Sequence, residues 1–335
     1  MKSWYKQPSD IAVSTRIRIA RNLKGVPFPH KMTTAQIKSV CESIKEALTD
    51  VEFKVGKLHY IPMESVADEA AAMVERHIIS PDFAANPEGR ALLLSDDESV
   101  SIMLCEEDHI RIQVLFSGKD LFGAYDVASE IDRVICEKLD VAFHPQLGFL
   151  TECPTNLGTG LRASVMLHLP VLESLGGINA VSESVSKIGL TVRGLYGEGS
   201  NSAASLYQLS NQVTLGLTEE QALKNLDGIA NQIIEQEKNA RNEIPKEQLE
   251  DSVCRAFGIL KEARILSSEE MMNLLSRLKL GITEGIIKNV DKSLPMELLI
   301  EAQPYMLQKL NGRMTPSDRD IFRAKLCREK LRGSE

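Results

Sequence analysis

Five arginines of this sequence lie within or beside short apolar or glycine-rich segments: Arg16, Arg18, Arg111, Arg162 and Arg193. A guanidinium group is planar, keeps its charge and can bond two phosphate oxygens at once. Several such groups on converging strands would hold a triphosphate and offset the charge that develops during phosphoryl transfer. One arginine in such a place is usually solvated or paired in a salt bridge, so the prediction depends on the whole set.

Three consecutive acids, Glu106, Glu107 and Asp108, precede Arg111 in a short connection between two predicted strands. Such a run is most often a solvated turn. An acceptor that must lose an N–H proton, however, needs a carboxylate beside it. If the acceptor is a guanidinium, one carboxylate would orient its N–H groups and another would take a proton from a group whose pKa exceeds about 12.

The Cys153-Pro154-Thr155 segment places a thiol two residues before a hydroxyl. A thiol near a helix N-terminus would have a lowered pKa. A small buried hydrophobic side chain is the ordinary alternative, and the sequence alone favours that alternative.

The segment from Gly158 to Ala163 matches the G-x-G-x-x-A pattern of dinucleotide sites. The match is weak, because Pro154 and Asn156 separate the glycines from the preceding predicted strand. We expect the glycines to open a helix over about 163–175, whose first N–H groups would approach an anion. An ordinary glycine-rich turn explains the pattern equally well.

Composition narrows the class of protein. The chain has 335 residues, and roughly 150 residues per domain suggests two domains. Its net charge of −8 argues against broad binding to nucleic acid. No apolar run reaches the length of a membrane helix, and no apolar segment near Met1 resembles a signal peptide. Six cysteines without a C-x-x-C pair indicate a reduced, cytoplasmic protein.

The sequence contains no G-x-x-x-x-G-K-[ST], H-E-x-x-H or G-x-S-x-G motif. A P-loop nucleotide site is therefore excluded, and phosphate chemistry would depend on the arginines. The segment from Lys246 to the C-terminus is mildly basic, whereas the preceding residues are acidic. This contrast predicts that the two parts of the chain have surfaces of different charge.

The elements that must position these residues follow from hydrophobic periodicity. In residues 12–20, alternation puts Arg16 and Arg18 on one strand face and Ile17 and Ile19 on the other. Runs of strands interrupted by helices, without a strict βαβ rhythm, favour an α+β fold. Pro245 marks a domain boundary, after which the pattern is helical. We predict helices over 34–48, 65–77, 121–139, 163–175 and 219–242, and further strands over 91–94, 100–104, 109–114, 147–150, 188–192 and 205–209.

These motifs together resemble the phosphagen (guanidino) kinase family. The similarity rests on Cys-Pro-Thr-Asn-Leu-Gly-Thr-Gly-Leu-Arg (153–162), Glu-Glu-Asp-His-Ile-Arg (106–111), Ser-Thr-Arg-Ile-Arg (14–18) and Arg-Gly-x-x-Gly (193–197). The resemblance implies an antiparallel sheet flanked by helices, with ATP as substrate and Mg²⁺ carried mainly by its phosphates. It makes the five arginines nucleotide ligands and Glu107 the catalytic base, with Glu106 supporting it and Cys153 tuning the acceptor site. The family commonly has Asn where this chain has Cys105, a change expected to affect substrate affinity.

Within the family, the chain resembles the bacterial protein-arginine kinases. Only fifteen residues precede Arg16, where metabolite kinases carry a helical domain, and a helical segment follows Pro245. The latter contains the Arg-Asp-x-x-Arg-Ala motif at residues 319–324, which binds phosphoarginine in those kinases. Arg319 or Arg323 would contact the phosphate, and Asp320 would accept from the guanidinium. The implied organisation is a catalytic domain over 1–244 and a dimerising, phosphoarginine-binding domain over 245–335.

The same resemblance implies a biological role. Proteins with exposed arginines would be the substrates, and phosphorylation would mark them for a Clp ATPase and protease during stress and quality control. A zinc-finger activator protein, allosteric control and a homodimer are further implications. Two alternatives stay open: an adaptor that reads phosphoarginine and has a weak or inactive kinase site, and a kinase for free arginine. The presence of all five arginines and both glutamates favours an active kinase, and the short segment before Arg16 disfavours a metabolite substrate.

Overall fold

The computed structural model describes residues 3–194 and 203–333. Its strands are β1 Ala12–Arg21, β2 Leu58–Pro62, β3 Ala91–Ser95, β4 Val100–Leu104, β5 Ile110–Ser117, β6 Phe143–His144, β7 Gly148–Phe149, β8 Leu161–His168, β9 Leu190–Gly194 and β10 Leu206–Asn211. Its helices are α1 Thr34–Leu48, α2 Ala70–Glu75, α3 Pro81–Ala85, α4 Leu121–Lys138, α5 Pro170–Ser174, α6 Ile178–Ser186, α7 Glu219–Glu243, α8 Lys246–Glu262, α9 Ser268–Thr283, α10 Leu294–Glu301, α11 Pro304–Asn311 and α12 Pro316–Arg332.

Eight strands form one sheet in the order β2-β3-β4-β5-β1-β8-β10-β9, and β6 pairs with β7 as a separate hairpin. Strands β2 to β5 pair antiparallel, with Ile102 of β4 opposite Leu93 of β3 and Ile112 of β5. Strand β4 is buried along its whole length, as the continuous apolar run of a covered strand requires. The predicted α+β fold is confirmed. The order places β1 between β5 and β8, so the three strands that carry Arg111, the Arg16–Arg18 pair and Arg162 are neighbours.

Two long helices begin where the sequence indicates. Thr33 accepts a hydrogen bond from the backbone N–H of Gln36, whose side chain in turn accepts from the Thr33 N–H. The same reciprocal arrangement joins Thr218 and Gln221 at the start of α7. These capping boxes satisfy backbone donors that a helix start leaves without partners. The apolar face predicted for α1 is buried.

Two predicted helices are wrong in type or length. Residues 163–175 form the end of strand β8 and the five-residue helix α5, which begins at Pro170. A short apolar run fits a buried strand or a buried helix equally well, and pairing within the sheet decides between them. The predicted helix over 65–77 contains a 3-10 turn, Met63–Val66, and only the short helix α2.

The chain divides into two compact units. The described residues of the first are 3–4, 15–165 and 210–228; those of the second are 5–14, 166–194, 203–209 and 229–333. The first unit has an apolar cluster around Phe83, Leu92 and Met103, all buried. In the described part of the chain, every helix is too short or too polar to span a bilayer.

The second unit contains helices α8 to α12 and a set of buried polar side chains that bond to one another. Arg241 Nε donates to Glu237 at 2.9 Å, and the ring of His168 lies 2.8 Å from the Ser276 hydroxyl. Lys279 donates to the backbone carbonyl of Ser9 at 2.5 Å. Buried polar groups with partners avoid the desolvation cost of unpaired ones. Pro245 immediately precedes helix α8 within this unit, and the domain boundary expected there stays a prediction.

Candidate active site

Four of the five predicted arginines come together in the first unit. Arg16 and Arg18 alternate with buried isoleucines along β1, and Arg111 of β5 and Arg162 of β8 flank them. Arg18, Arg111 and Arg162 line a cavity of about 170 Å³ together with Glu107, Asp108, Cys153, Thr155 and Asn156. We call this the arginine cavity. The strand alternation read from the sequence is therefore what aims these side chains at one place.

The guanidinium groups of this cluster repel one another. Burial and the charges of Arg111 and Arg162 lower the pKa of Arg16 to about 10. Burial, followed by Arg16, Arg111 and Arg162, lowers the pKa of Arg18, and Glu106 opposes this effect. Within the described residues, the buried Nε of Arg18 has no hydrogen-bond partner. A polyanion would relieve the repulsion and supply the missing acceptor, so the arrangement fits a string of phosphates.

Glu106 is fixed by the structure around it. One carboxylate oxygen accepts from the Ser80 hydroxyl at 2.5 Å, and the other accepts from Arg111 and from the backbone N–H of Glu107. Burial opposes ionisation of this group, but Arg111 and the hydrogen bonds together keep its pKa below the usual value. Glu106 therefore stays ionised and orients Arg111. Ser80 plays a part that no sequence pattern indicated.

Glu107 differs from its neighbour in exposure and in charge environment. It is exposed and lines the arginine cavity. Partial burial and the negative charges of Asp108 and Glu106 raise its pKa, while Arg111 opposes the rise. A carboxylate with a raised pKa accepts a proton more readily than an ordinary glutamate. The geometry thus suits Glu107 to proton transfer and Glu106 to positioning.

Asp108 connects the acidic loop, residues 106–108, to the residues just before Cys153. Its buried carboxylate accepts from the Asn22 side chain at 2.6 Å and from the backbone N–H of Glu152 at 2.8 Å. Burial raises the pKa of Asp108, and these two hydrogen bonds oppose the rise. Asn22 also accepts from the backbone N–H of His109 at 2.9 Å. Asn22 is a second residue near the site that no sequence pattern indicated, because its hydrogen bonds depend on three distant segments meeting.

Cys153 precedes a 3-10 turn, Pro154–Asn156, and its sulfur lies 3.0 Å from the Thr155 hydroxyl. The expected helix start does not follow, because the glycines lead into strand β8 instead. Gly158 has φ +110°, and a Cβ there would lie 2.3 Å from the carbonyl oxygen of Thr214. Gly160 has φ +63°, with a Cβ position 2.7 Å from the carbonyl oxygen of Ala20. The glycines thus serve close backbone packing in a left-handed conformation rather than a dinucleotide turn.

Cys105 stands immediately before the two glutamates with φ +60°, a conformation that Asn tolerates better than most residues. Its side chain is fully buried, and a hydrogen bond with the Cys41 thiol, together with burial, raises its pKa. The expectation that Cys105 in place of Asn affects substrate affinity stays a prediction.

Arg193 lies on β9, in the second unit, and is half-buried. Residues 195–197, which complete its Arg-Gly-x-x-Gly motif, lie outside the described residues. Its assignment as a fifth nucleotide ligand therefore remains a prediction. No group of three His, Cys, Asp or Glu side chains in the described ranges is arranged to hold a metal ion.

The Arg-Asp-x-x-Arg-Ala motif lies on helix α12. Arg323 is 1% exposed, and its guanidinium donates to the backbone carbonyls of Ala302 and Leu266 at 3.0 and 2.8 Å. It also donates to the Asp320 carboxylate at 2.5 Å. Arg319 is more exposed, and its hydrogen bond to the carbonyl of Met314 is long, 3.4 Å. The structure thus separates the two arginines by exposure and by bonding, since Arg323 is buried and bonded to Asp320 and Arg319 is partly exposed; which of them contacts phosphoarginine stays a prediction.

Two family patterns match successive parts of the sequence. The pattern described as "ATP:guanido phosphotransferase, C-terminal catalytic domain" matches residues 39–240. The pattern described as "Protein-arginine kinase McsB C-terminal domain" matches residues 246–335. The first match includes the acidic residues 106–108 and the Cys153-Pro154-Thr155 segment. The second match includes helix α12.

Curated relatives are similar over nearly the whole chain. A protein-arginine kinase of Halothermothrix orenii is 49% identical over 329 residues, which cover 96% of this chain and 93% of that protein. A protein-arginine kinase of Bacillus subtilis is 44% identical over 340 residues, 99% of this chain and 93% of the relative.

Solved structures agree on the fold. The duplicated taurocyamine kinase of Schistosoma mansoni with bound transition-state analogue components superposes with a TM-score of 0.61 at 29% identity. The match covers 69% of this chain and 33% of that one, so the present chain spans about a third of the duplicated enzyme. A lombricine kinase, 23% identical, has a TM-score of 0.62 over 70% of this chain and 68% of its own.

These findings confirm the predicted fold and the predicted class of enzyme, a guanidino phosphotransferase. The chain belongs to the ATP:guanido phosphotransferase family, and within it to the protein-arginine kinases.

Proposed function

We propose that this protein transfers the γ-phosphoryl group of ATP to arginine side chains of other proteins. The observation that carries the proposal is the arginine cavity, where mutually repelling guanidinium groups meet an exposed carboxylate with a raised pKa. The cationic side suits a polyphosphate, and the acidic side suits a guanidinium. The names of the relatives support a protein as the acceptor.

The nucleotide would be held by Arg16, Arg18, Arg111 and Arg162, with Arg193 as a fifth ligand. Their fixed charges offset the negative charge on the γ-phosphate as the transfer proceeds, and they need no rearrangement at that moment. Mg²⁺ would enter with ATP, bound mainly by phosphate oxygens, as its preference for oxygen ligands and retained water favours. The four converging arginines fit the binding of Mg-ATP because they supply positive charge where the phosphates would lie.

The acceptor would be activated by Glu107. An arginine nitrogen forms a bond to the γ-phosphorus while the bond from that phosphorus to the bridging oxygen breaks, and ADP leaves. The proton lost by the nitrogen passes to the Glu107 carboxylate. Glu106, held by Ser80 and Arg111, supports the loop, and Cys153 beside Thr155 tunes the acceptor end of the cavity.

We further propose two functional domains, residues 1–244 for catalysis and 245–335 for dimerisation and phosphoarginine binding. The limits of the two family patterns and the helix start after Pro245 support this division. Arg319 would contact the phosphate of phosphoarginine, with Asp320, fixed by Arg323, accepting from its guanidinium. The biological role would be to mark cytoplasmic proteins for a Clp ATPase and protease under stress, with allosteric control and a zinc-finger protein as activator.

Mass spectrometry of an unfolded protein incubated with the full chain and Mg-ATP tests the activity. We expect acid-labile phosphoarginine on the protein. In a Glu107→Gln variant we expect kcat to fall by about 10²- to 10⁴-fold, because the proton acceptor is lost. A Glu183→Gln variant, changed at an exposed position on helix α6, is the control and should keep the wild-type rate. Phosphorylated free arginine with unmodified protein would contradict the proposal.

A further inference from the structure

A second cavity, of about 390 Å³, lies in the same unit as the arginine cavity. Its walls come from the β6–β7 hairpin, from Gly158 and Thr159, and from residues 214–221. We call it the apolar groove. Phe143 and Leu215, which line it, are 57% and 46% exposed, and the adjacent Leu147 and Val213 are 40% and 44% exposed. Four large apolar side chains exposed in one area are unusual for a surface without a partner.

The apolar groove adjoins the arginine cavity through one loop. Asn156 and Gly160 line the arginine cavity, and Gly158 and Thr159, between them in sequence, line the groove. The loop is held rigidly, because Gly158 accepts from the N–H of Phe149 at 2.8 Å and Thr159 donates to the carbonyl of Thr214 at 3.0 Å. A ligand that extends beyond the acceptor end of the arginine cavity would thus meet the groove without a large rearrangement.

We propose that the apolar groove binds a large apolar side chain of the substrate polypeptide, a few residues from the arginine that is phosphorylated. This inference rests on the proposed function, since it requires a polypeptide acceptor. An extended chain advances about 3.3–3.6 Å per residue, so a side chain two to four residues from the arginine reaches a cavity on the adjoining loop. The substrate class is then extended or unfolded segments that carry Leu, Phe or a similar residue near an arginine.

Charge and shape favour this occupant over a nucleotide. Glu219, at the start of helix α7, is the single charged residue among the described residues that line the groove. A phosphate would be repelled there, whereas a segment that already carries an arginine would be attracted. Phe143 and Phe149 pack edge to face with their ring centres 5.2 Å apart, which offers apolar ring surface to an aliphatic or aromatic side chain.

Kinetics with two synthetic peptides test the proposal. Each contains one arginine, and they differ only at the positions two to four residues away, which are leucines in one and serines in the other. We expect the wild-type full chain to show a KM about tenfold lower for the leucine peptide, with a similar kcat, because burial of one such side chain is worth about that factor. In Leu215→Ser and Phe143→Ser variants the ratio of the two KM values should fall towards one. Leu175→Ser, at a 63% exposed position that does not line the groove, should keep the wild-type ratio.

Several results would overturn the inference. Equal KM values for the two peptides with the wild-type chain would show that the groove does not bind an apolar side chain of the substrate. A wild-type KM ratio in the Leu215→Ser variant, or in the Phe143→Ser variant if Leu215→Ser loses activity with both peptides alike, would place the preference elsewhere. A change in molecular mass by analytical ultracentrifugation, with the peptide ratio unchanged, would make the groove an interface between copies of the chain. Failure of the wild-type chain to phosphorylate either peptide or an unfolded protein would instead refute the proposed function itself.

Discussion

Arg18 in the arginine cavity and Arg323 on helix α12 are both arginines withdrawn from solvent, yet their surroundings are opposite. Arg18 lies among other guanidinium groups, and its Nε has no hydrogen-bond partner within the described residues. Arg323 is buried and donates to two backbone carbonyls and one carboxylate. The first arrangement destabilises the empty protein and is suited to a ligand, whereas the second stabilises the fold. The number of acceptors already present distinguishes a binding arginine from a structural one.

The largest effect should follow from Arg18→Met. We expect kcat/KM for ATP to fall by about 10²- to 10³-fold, because one fixed charge on the transferred phosphate is lost. The free energy of unfolding should be unchanged or should rise, since the variant removes a source of repulsion. Steady-state kinetics and urea unfolding measure the two quantities, with Arg133→Met on exposed α4 as control. A clear loss of stability with normal kinetics would reverse the assignment of Arg18.

Substitution of Arg323 should instead lower the stability of the fold. Arg323→Met leaves the carbonyls of Ala302 and Leu266 and the Asp320 carboxylate without their donor, so we expect the free energy of unfolding to fall by about 2–4 kcal/mol. Arg332→Met, at an exposed position on the same helix, should change it by less than about 0.5 kcal/mol. Equal stability of the two variants would show that the three hydrogen bonds contribute little.

A smaller effect is expected at Arg319, which we propose contacts phosphoarginine. Arg319→Ala should weaken binding of free phosphoarginine to the full chain about tenfold, the worth of one charge-assisted hydrogen bond. Its stability should change little, because its hydrogen bond to Met314 is long. Isothermal titration with Arg313→Ala as control measures the difference. If Arg319→Ala binds as tightly as wild type, the phosphate ligand on α12 is another residue.

The smallest effect concerns the acidic side of the arginine cavity. Glu107 must be deprotonated to accept a proton, so activity should rise with pH through its raised pKa. Partial burial raises this pKa most, the charges of Asp108, Glu106 and Glu152 raise it further, and Arg111 lowers it. Glu152→Gln removes one negative charge, which lowers the pKa of Glu107 and should move the acid limb of kcat to lower pH by a few tenths of a unit. A pH profile that shifts upward, or not at all, would argue against Glu107 as the group that titrates.

Sequence reasoning placed most of the elements and the arginines of the first unit correctly. Alternation over residues 12–20 predicted strand β1 and put Arg16 and Arg18 on one face, and the helix predicted over 34–48 matches α1. It failed over 163–175, because an apolar run of that length satisfies both periodicities. Residues 163–168 are a strand because β8 pairs with β1 and β10 in the sheet. The local sequence does not indicate that pairing.

The site was predictable in its residue types and less so in their roles. The three acids were adjacent in sequence, but only the structure separates an exposed Glu107 from a Glu106 tied to Ser80 and a buried Asp108 tied to Asn22. Likewise, the two arginines of the motif on α12 looked equivalent in the sequence, and only the structure shows that Arg323 is buried while Arg319 is partly exposed.

The sequence by itself determined which groups are present and which strand or helix face each occupies, because the periods of 2 and 3.6 residues are local properties of the backbone. It also determined the glycines that allow close packing at residues 158 and 160. The tertiary structure alone decided which charges meet, how many hydrogen-bond partners each receives and how far each is removed from water. These quantities depend on contacts between segments far apart in the chain, such as Asn22 with Asp108 and Gly160 with Ala20. They shift the pKa values, and the roles that we propose for the individual arginines and glutamates rest on those shifts.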